Sequence, residues 1–319
     1  MLTFRRALRI FFGLAGFVLG ATVAAAAFLA RMMIAPVRQG QWATPLDIGL
    51  DFEDVEFPAR DGVRLSGWFI PANDNADSNG ATVVLVHGWR WNRLGYRAED
   101  LFANVTGSSE IDQLRFTQSL HNAGYHILAF DLRNHGQSAA ARPVTFGQSE
   151  AKDLLGALAY LESRDDVDER NIGVVGFSIG ANASLFALPQ TNLIKALVAV
   201  QPMTPSVFTN RLAADFLGFF GSIVLFIAEI FYRLFGGLRI SGIVPAFAAG
   251  GAGNIPVLFL QGTGDNWGST DDVSNMAELT PQAQELLFVS STHRFGGYQY
   301  IIDNPGVAIA FFERYLGPD

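Results

Sequence analysis

The feature that most constrains the fold is an alternation between short apolar runs and segments with helical periodicity. Apolar runs of this length, bounded by turn residues, are typical of strands buried on both faces. Strands that alternate with helices predict a mostly parallel sheet covered by helices on both sides, so the predicted class is α/β. The predicted strands are 81–87, 125–130, 172–177, 195–200, 255–262 and 285–290. The predicted helices are 110–123, 149–163, 179–188, 271–280 and 304–316.

Two segments depart from this alternation. Residues 51–70 form two short alternating runs around Asp61-Gly62, which predict a β-hairpin, and residues 73–80 (NDNADSNG) predict a polar loop. More than 50 residues separate the strands ending at 200 and starting at 255, where one crossover helix would suffice. We therefore expect an inserted helical lid at about 203–253.

Within that insertion, residues 216–235 are apolar except for Glu229 and Arg233. The uninterrupted part, 216–228, is short for a membrane span. A lid with an apolar face is favoured. The alternatives are a membrane contact without a lid role and an ordinary core element.

The N-terminus contains 21 consecutive uncharged residues, 10–30. As a helix they extend about 31 Å, close to the thickness of the hydrocarbon core. Arginines flank the run, three before it and two after it: Arg5, Arg6, Arg9, Arg31 and Arg38. This charge bias predicts a single-pass anchor with a cytoplasmic N-terminus and an extracytoplasmic catalytic domain, periplasmic in a bacterium.

The alternative for the N-terminus is a cleaved signal peptide and a secreted protein. It is disfavoured because the apolar run exceeds the usual ~7–15 residues of a signal peptide. The predicted organisation is an anchor at 1–31, a linker at 32–50 and one globular domain at 51–319 with its lid insertion.

Composition excludes several classes of function. The net charge is −8, so nucleic-acid binding has no electrostatic support. The chain has no cysteine, which excludes disulfides, thiolate metal sites and a cysteine nucleophile. We expect no metal and no cofactor, because no metal cluster, phosphate loop or dinucleotide fingerprint is present. The expected partners are an acyl substrate and a membrane, and the sequence leaves the oligomeric state open.

The segment GVVGFSIGAN, 173–182, carries the first chemical signal. It contains the pattern G-x-S-x-G between a predicted strand and a predicted helix, the context that this motif requires. A serine on such a sharp turn stands above the sheet with its hydroxyl exposed, whereas an ordinary glycine turn is the structural alternative. The pattern makes Ser178 the candidate nucleophile.

A serine nucleophile needs a base and a carboxylate that orients the base. His293 follows the last predicted strand, and Asp265 follows the strand 255–262, so both are expected at the sheet edge that carries Ser178. Asp271 and Asp272 are rivals to Asp265 but resemble the start of the next helix. The candidate triad is Ser178, Asp265 and His293.

Two backbone amides are the candidate oxyanion hole, those of Trp89 and Ile179. His87 precedes Trp89 and is expected to brace its loop. His121 and His126 are expected to be surface or core residues, and His135 is expected to belong to the scaffold of a loop under the site.

In combination these motifs resemble the α/β-hydrolase superfamily over residues 51–317. The similarity rests on VVLVHGW, AFDLRNHGQS, GVVGFSIGA, PVLFLQGTGD and THRFGG, and is greatest to BEM46-like and monoacylglycerol lipase-like proteins. The resemblance implies the α/β-hydrolase fold and the triad order Ser, Asp, His. Asn134 departs from the family pattern D-x-R-G-H-G, in which a glycine occupies its position.

The expected function is a membrane-anchored serine hydrolase that cleaves an acyl ester, lipidic if the lid meets the bilayer. A peptidase, thioesterase or acyltransferase would use the same triad. A non-catalytic binding module on this fold is the rival class, since fold alone does not fix function.

Overall fold

The computed structural model describes residues 4–73, 80–99 and 101–317. Ten strands are described: β1 Glu53–Pro58, β2 Arg64–Ile70, β3 Thr82–Val86, β4 Gly95–Tyr96, β5 Ile111–Asp112, β6 His126–Phe130, β7 Ile172–Phe177, β8 Ile194–Val200, β9 Val257–Gly262 and β10 Ala283–Val289. Eleven α-helices are described: α1 Phe4–Ile34, α2 Leu101–Thr106, α3 Gln113–Asn122, α4 Ala151–Glu162, α5 Ile179–Ala187, α6 Pro205–Leu217, α7 Gly221–Leu234, α8 Pro245–Gly250, α9 Thr270–Leu279, α10 Gly296–Asp303 and α11 Gly306–Tyr315.

Eight of the strands form one sheet, in the order β1-β2-β6-β3-β7-β8-β9-β10. The predicted hairpin is β1 and β2, which pair antiparallel with each other, and β2 pairs antiparallel with β6. The other neighbouring strands of this sheet pair parallel. Gly176 of β7 pairs with Val86 of β3 and Ala199 of β8, so these three strands end at one edge. The predicted α/β class with a mostly parallel sheet is confirmed.

Helices cover both faces of this sheet. One apolar core contains residues of α4, α5, α8 and α9, and the other contains residues of α3, α10 and α11. Strands β3 and β7 are buried along their whole length, which explains their continuous apolar sequences. Two buried layers hold the strand ends, and the loops that follow them, in fixed relative positions.

The N-terminal apolar segment forms α1, whose residues 4–21 are all exposed. Its later part packs on α7, where Ala26 and Ala30 are buried against Val224 and Ala228. By length and composition, two described segments can cross a membrane, Phe4–Ile34 and Pro205–Leu234. The second lies in the predicted insertion, which contains α6, α7 and α8.

Some local predictions differ from the structure. The helix expected from residue 110 begins at Gln113, because residues 111–112 pair with β4. Its N-terminal cap is Asp112, whose side chain accepts a hydrogen bond from the Arg115 amide. Helices α2 and α10 had no sequence prediction. Residues 74–79 of the expected polar loop lie outside the described residues.

Candidate active site

Ser178 occupies the turn between β7 and α5 with φ 53° and ψ −114°. This left-handed backbone region is rare for a residue with a side chain and is found at functional sites. The two flanking glycines are needed for close packing. A Cβ atom on Gly176 would lie 2.6 Å from the Ala181 Cα, and one on Gly180 would lie 2.1 Å from the Val86 carbonyl oxygen. The turn therefore holds Ser178 above the edge of the sheet.

A pocket with about 700 Å³ of empty space, its open mouth included, lies above Ser178. Aromatic side chains from loops and from helices α2, α6 and α10 form much of its wall, including Trp89, Phe102, Phe146, Phe208, Trp267 and Tyr298. The polar and charged lining residues are Ser178, Gln201, Asp265, Arg90 and Arg294. The pocket therefore combines an apolar wall with a few polar groups, as ligand sites do.

Asp265 lies in this pocket, as predicted from its place after β9. Its Oδ1 accepts a hydrogen bond from the Trp267 amide at 3.1 Å, and its Oδ2 accepts one from Gln201 Nε2 at 3.0 Å. Burial raises the pKa of the Asp265 carboxyl group, and hydrogen bonds from the backbone of Gly268 and Trp267 partly offset that rise. The carboxylate is thus held in one orientation in the pocket that Ser178 also lines.

His293 is not brought into the pocket. It lies on the loop between β10 and α10 with its side chain exposed. Among the described residues, no hydrogen bond joins its imidazole to Ser178 or Asp265. The structure therefore brings together two members of the candidate triad and leaves the third outside.

The next residue, Arg294, lines the pocket instead. Its guanidinium carbon lies 4.2 Å from the ring centre of Trp267 and 4.1 Å from that of Phe295, and its Nη2 donates to the Ser108 hydroxyl. Burial lowers the pKa of Arg294 to about 10. Stacking on two aromatic rings explains why the loop turns Arg294 inward and His293 outward.

Two further residues at the site were not predicted. Gln201 directly follows β8 with φ 47°, and its Oε1 accepts from the Gly297 amide at 2.8 Å while its Nε2 holds Asp265. Tyr298 lines the same pocket as Ser178, and burial and the Asp265 charge raise its pKa, so its phenol stays protonated and is not available to take a proton. The position of Gln201 at a strand end was a usable signal, whereas Tyr298 lies on the unpredicted α10.

The two candidate oxyanion residues are Ile179, which directly follows Ser178 in the chain, and Trp89. Ile179 is the first residue of α5, so its amide has no acceptor within the helix. Trp89 lines the pocket. The loop before it is braced by His87, whose Nδ1 bonds the Gly88 carbonyl at 2.7 Å and whose Nε2 accepts from the Leu132 amide at 3.0 Å. Burial lowers the pKa of His87, which keeps this brace neutral.

Asn134 accounts for the departure from the family loop. Its φ of 69° lies in the left-handed region, where glycine is the usual residue and asparagine is the best substitute. Its side chain also bonds the backbone of Ala141 in both directions. The loop therefore keeps the shape that a glycine would give it.

The rival acidic residues have structural roles. Asp272 accepts hydrogen bonds from the Thr204 amide and hydroxyl, both at 2.7 Å, and thereby ties α9 to the start of α6. Asp271 lies in the first turn of α9, next to it. Neither lines the pocket, in agreement with the interpretation of both as part of a helix start.

Comparisons with known proteins agree with this architecture. The chain is 30% identical over 139 residues to the uncharacterized protein YfhR of Escherichia coli O157:H7, which covers 43% of this chain and 42% of that protein. It is 24% identical over 225 residues to the alpha/beta hydrolase domain-containing protein WAV2 of Arabidopsis thaliana, covering 69% and 66%. The match thus spans less than half the length of YfhR.

A similar solved structure is the Pyrococcus furiosus esterase Pf2001. It has a TM-score of 0.65 and 26% sequence identity, and the alignment covers 89% of this chain and 100% of that chain. The sequence profile of the alpha/beta hydrolase family matches residues 83–298. That match spans more than half of the chain, from β3 to the start of α10, so the chain belongs to the alpha/beta hydrolase family.

Proposed function

We propose that this protein is a membrane-anchored serine hydrolase that cleaves an acyl ester through an acyl-enzyme. The observation that carries the proposal is Ser178, held with φ 53° on the turn after β7 in a pocket that also contains Asp265. The similarity to the Pyrococcus furiosus esterase favours an ester as the substrate. An acyl ester with an apolar chain fits the aromatic wall of the pocket.

In the proposed reaction, the Ser178 hydroxyl attacks the ester carbonyl and gives its proton to His293. The amides of Trp89 and Ile179 donate hydrogen bonds to the oxyanion. His293 then protonates the leaving alcohol. Water next attacks the acyl-enzyme, again losing its proton to His293, which returns it to Ser178 as the acid leaves. Asp265 would orient the imidazole and stabilise its cationic form.

This mechanism requires the loop between β10 and α10 to rearrange so that His293 enters the pocket and Arg294 leaves it. We call this rearrangement the exchange. The exchange moves the guanidinium from its place against Trp267 and Phe295 to solvent and brings the adjacent imidazole toward Asp265. Charged side chains are stable in water, so the cost is the loss of stacking and of the bond to Ser108. We infer that the described conformation is a resting state and that substrate favours the exchanged one.

Several features support an uncleaved anchor. The exposed residues 4–21 are predominantly apolar, as the bilayer requires. Ala26 and Ala30 pack on α7, so cleavage near these residues would uncover part of the lid. The arginine bias around the run favours a cytoplasmic N-terminus and an extracytoplasmic catalytic domain. The proposed organisation remains an anchor at 1–31, a linker at 32–50 and a hydrolase domain at 51–319.

A non-catalytic binding module is the second candidate. The observation that favours it is the presence of Arg294, not an imidazole, in the pocket. A protein of this kind would bind an acyl compound beside Ser178 without cleaving it.

The test uses the full chain in detergent. Wild-type protein should be labelled by a fluorophosphonate probe and should hydrolyse p-nitrophenyl butyrate, and Ser178→Ala should abolish both. Ser163→Ala is the matched control and should retain both, because Ser163 is an exposed serine at the end of α4 that does not line the pocket. Absence of labelling and of hydrolysis in a folded wild-type protein would favour the binding module.

A further inference from the structure

A second cavity adjoins the pocket that contains Ser178. The two cavities share Trp89, Phe146 and Phe208 as walls. The second lies between α1, α6 and α7, with about 370 Å³ of empty space that includes space open to solvent. Its position makes it a continuation of the active-site pocket toward the helices that carry exposed apolar residues.

The lining of this cavity is almost entirely apolar. Among the residues that line the cavity, Thr209 carries a hydroxyl group. That hydroxyl donates a hydrogen bond to the Pro205 carbonyl of its own helix at 2.8 Å. The hydroxyl is therefore already bonded and offers a ligand little polar contact. Leu212 and Leu225 of the lid complete that side of the wall. A ligand in this space must itself be apolar, because a polar group would lose its hydration without replacement.

The opposite wall comes from the N-terminal helix. Leu29, Met32 and Met33 of α1 line the cavity. Their position is fixed because the Met33 carbonyl accepts a hydrogen bond from the Val144 amide at 3.2 Å, and because Ala30 is buried in the contact with α7. The C-terminal part of α1 thus belongs to the binding wall as well as to the anchor.

The surroundings of the cavity suit an occupant that comes from a bilayer. Phe28 of α1 is 62% exposed and Phe226 of α7 is 67% exposed, on the two helices that line the cavity. Phe219 and Phe220, between α6 and α7, are exposed as well. An acyl chain would meet apolar surface from the outer faces of these helices to the wall shared with the Ser178 pocket.

We propose that this cavity binds the acyl chain of the substrate and that α1 helps to set the chain length. The proposal rests on the proposed function, since the ester carbonyl must lie at Ser178 while its chain extends past Trp89 and Phe208. The substrate class is therefore a medium- or long-chain acyl ester drawn from a lipid phase. Residue 29 is one position at which side-chain size would limit the chain.

The test compares p-nitrophenyl butyrate with p-nitrophenyl dodecanoate, using the full chain in lipid nanodiscs. Leu29→Trp should lower the dodecanoate-to-butyrate ratio of kcat/KM by at least about tenfold, since one methylene group in a fitted pocket can change selectivity by that factor. Leu29→Ala, which adds space, should shift the preferred chain to greater length. The control Leu19→Trp, at an exposed position on the same helix, should keep the wild-type ratio.

A binding measurement separates this inference from the proposed function. In calorimetric titrations, dodecanoate should bind Leu29→Trp at least about tenfold more weakly than wild type and Leu19→Trp equally well. If wild type hydrolyses neither ester, the proposed function fails, and the titration alone then tests whether the cavity binds an acyl chain. Equal dodecanoate binding by Leu29→Trp and wild type, or an unchanged chain-length ratio in active protein, would overturn the inference.

Discussion

The exposed position of His293 allows a sharp test of the proposed base. Replacing His293 with alanine removes a side chain that contacts solvent, so we expect the free energy of unfolding to change by no more than about 0.5 kcal/mol. If His293 is the base in the exchanged loop, kcat should nevertheless fall about 10²- to 10⁴-fold. A large loss of activity with an unchanged melting temperature is the expected signature.

Replacing Arg294 should have the opposite effect. The guanidinium stacks on Trp267 and Phe295 and bonds to Ser108, and together these contacts favour the described loop by about 2 kcal/mol. Arg294→Ala removes that preference. Because 1.4 kcal/mol corresponds to a factor of ten, the population of free protein with His293 inside should rise by up to about 30-fold, and kcat/KM should rise with it.

Initial rates of p-nitrophenyl butyrate hydrolysis and thermal melts measure these effects for both single variants and the double variant. Arg294→Ala should melt about 5 °C below wild type, because it loses buried contacts. The double variant should have the low activity of His293→Ala, because the released space is useful only when an imidazole can fill it. Wild-type activity in His293→Ala would refute the assignment of His293 as the base.

Three other predictions concern the frame of the site. Gly180→Ala should prevent folding, because its Cβ would lie 2.1 Å from a carbonyl oxygen of β3. Gly306→Ala is the control, since a Cβ at residue 306 would meet no atom within 4 Å. Equal soluble yields and melting temperatures for the two variants would contradict this prediction. Gln201→Leu should lower kcat about tenfold, because Asp265 loses its hydrogen bond from Gln201 and the buried Gly297 amide is left unpaired. Leaving a buried amide unpaired costs roughly 1–3 kcal/mol. An unchanged kcat in folded protein would contradict a role for Gln201 in positioning Asp265. Burial lowers the pKa of His135 to about 3, so between pH 6.5 and 3 the unfolded chain binds a proton that the folded protein does not. This histidine therefore lowers the free energy of unfolding by up to about 1.4 kcal/mol per pH unit as the pH falls through that range. His135→Asn should shift acid unfolding, followed by circular dichroism, to lower pH, and no shift would contradict the reasoning.

Most of the sheet could be predicted because its inner parallel strands, β3 and β6 to β9, are buried along nearly their whole length. Such strands have continuous apolar sequences, and the six predicted runs correspond to β3 and β6 to β10. Ser178 was predicted from its motif, and its placement at the same sheet edge as Asp265 followed from the strands, since each residue comes just after a strand and parallel strands end at one edge. Pairing of residues 111–112 with β4 was not predictable locally, because a two-residue strand has no pattern of its own.

The orientation of the 290–295 loop was also beyond local reasoning. His293 and Arg294 are neighbours, and the choice of which one faces the pocket depends on contacts with Trp267 and Phe295. The Trp267 ring comes from a loop distant in sequence. The sequence therefore predicted the correct edge of the sheet for this loop, while the side chain facing inward was decided by tertiary packing.

The attachment of α1 beside the strand-end loops has a kinetic consequence. The Val144 amide donates to the Met33 carbonyl, and Arg38 donates to the Ser138 carbonyl at 2.6 Å. The chain leaving α1 is therefore attached beside the entrance of the second cavity, which Met33 lines. With the proposed anchor in a bilayer, the entrance would stay at a fixed height above the lipid surface. Encounters would then occur by lateral diffusion in two dimensions, and saturation would depend on the mole fraction of substrate in the lipid rather than on its concentration in water.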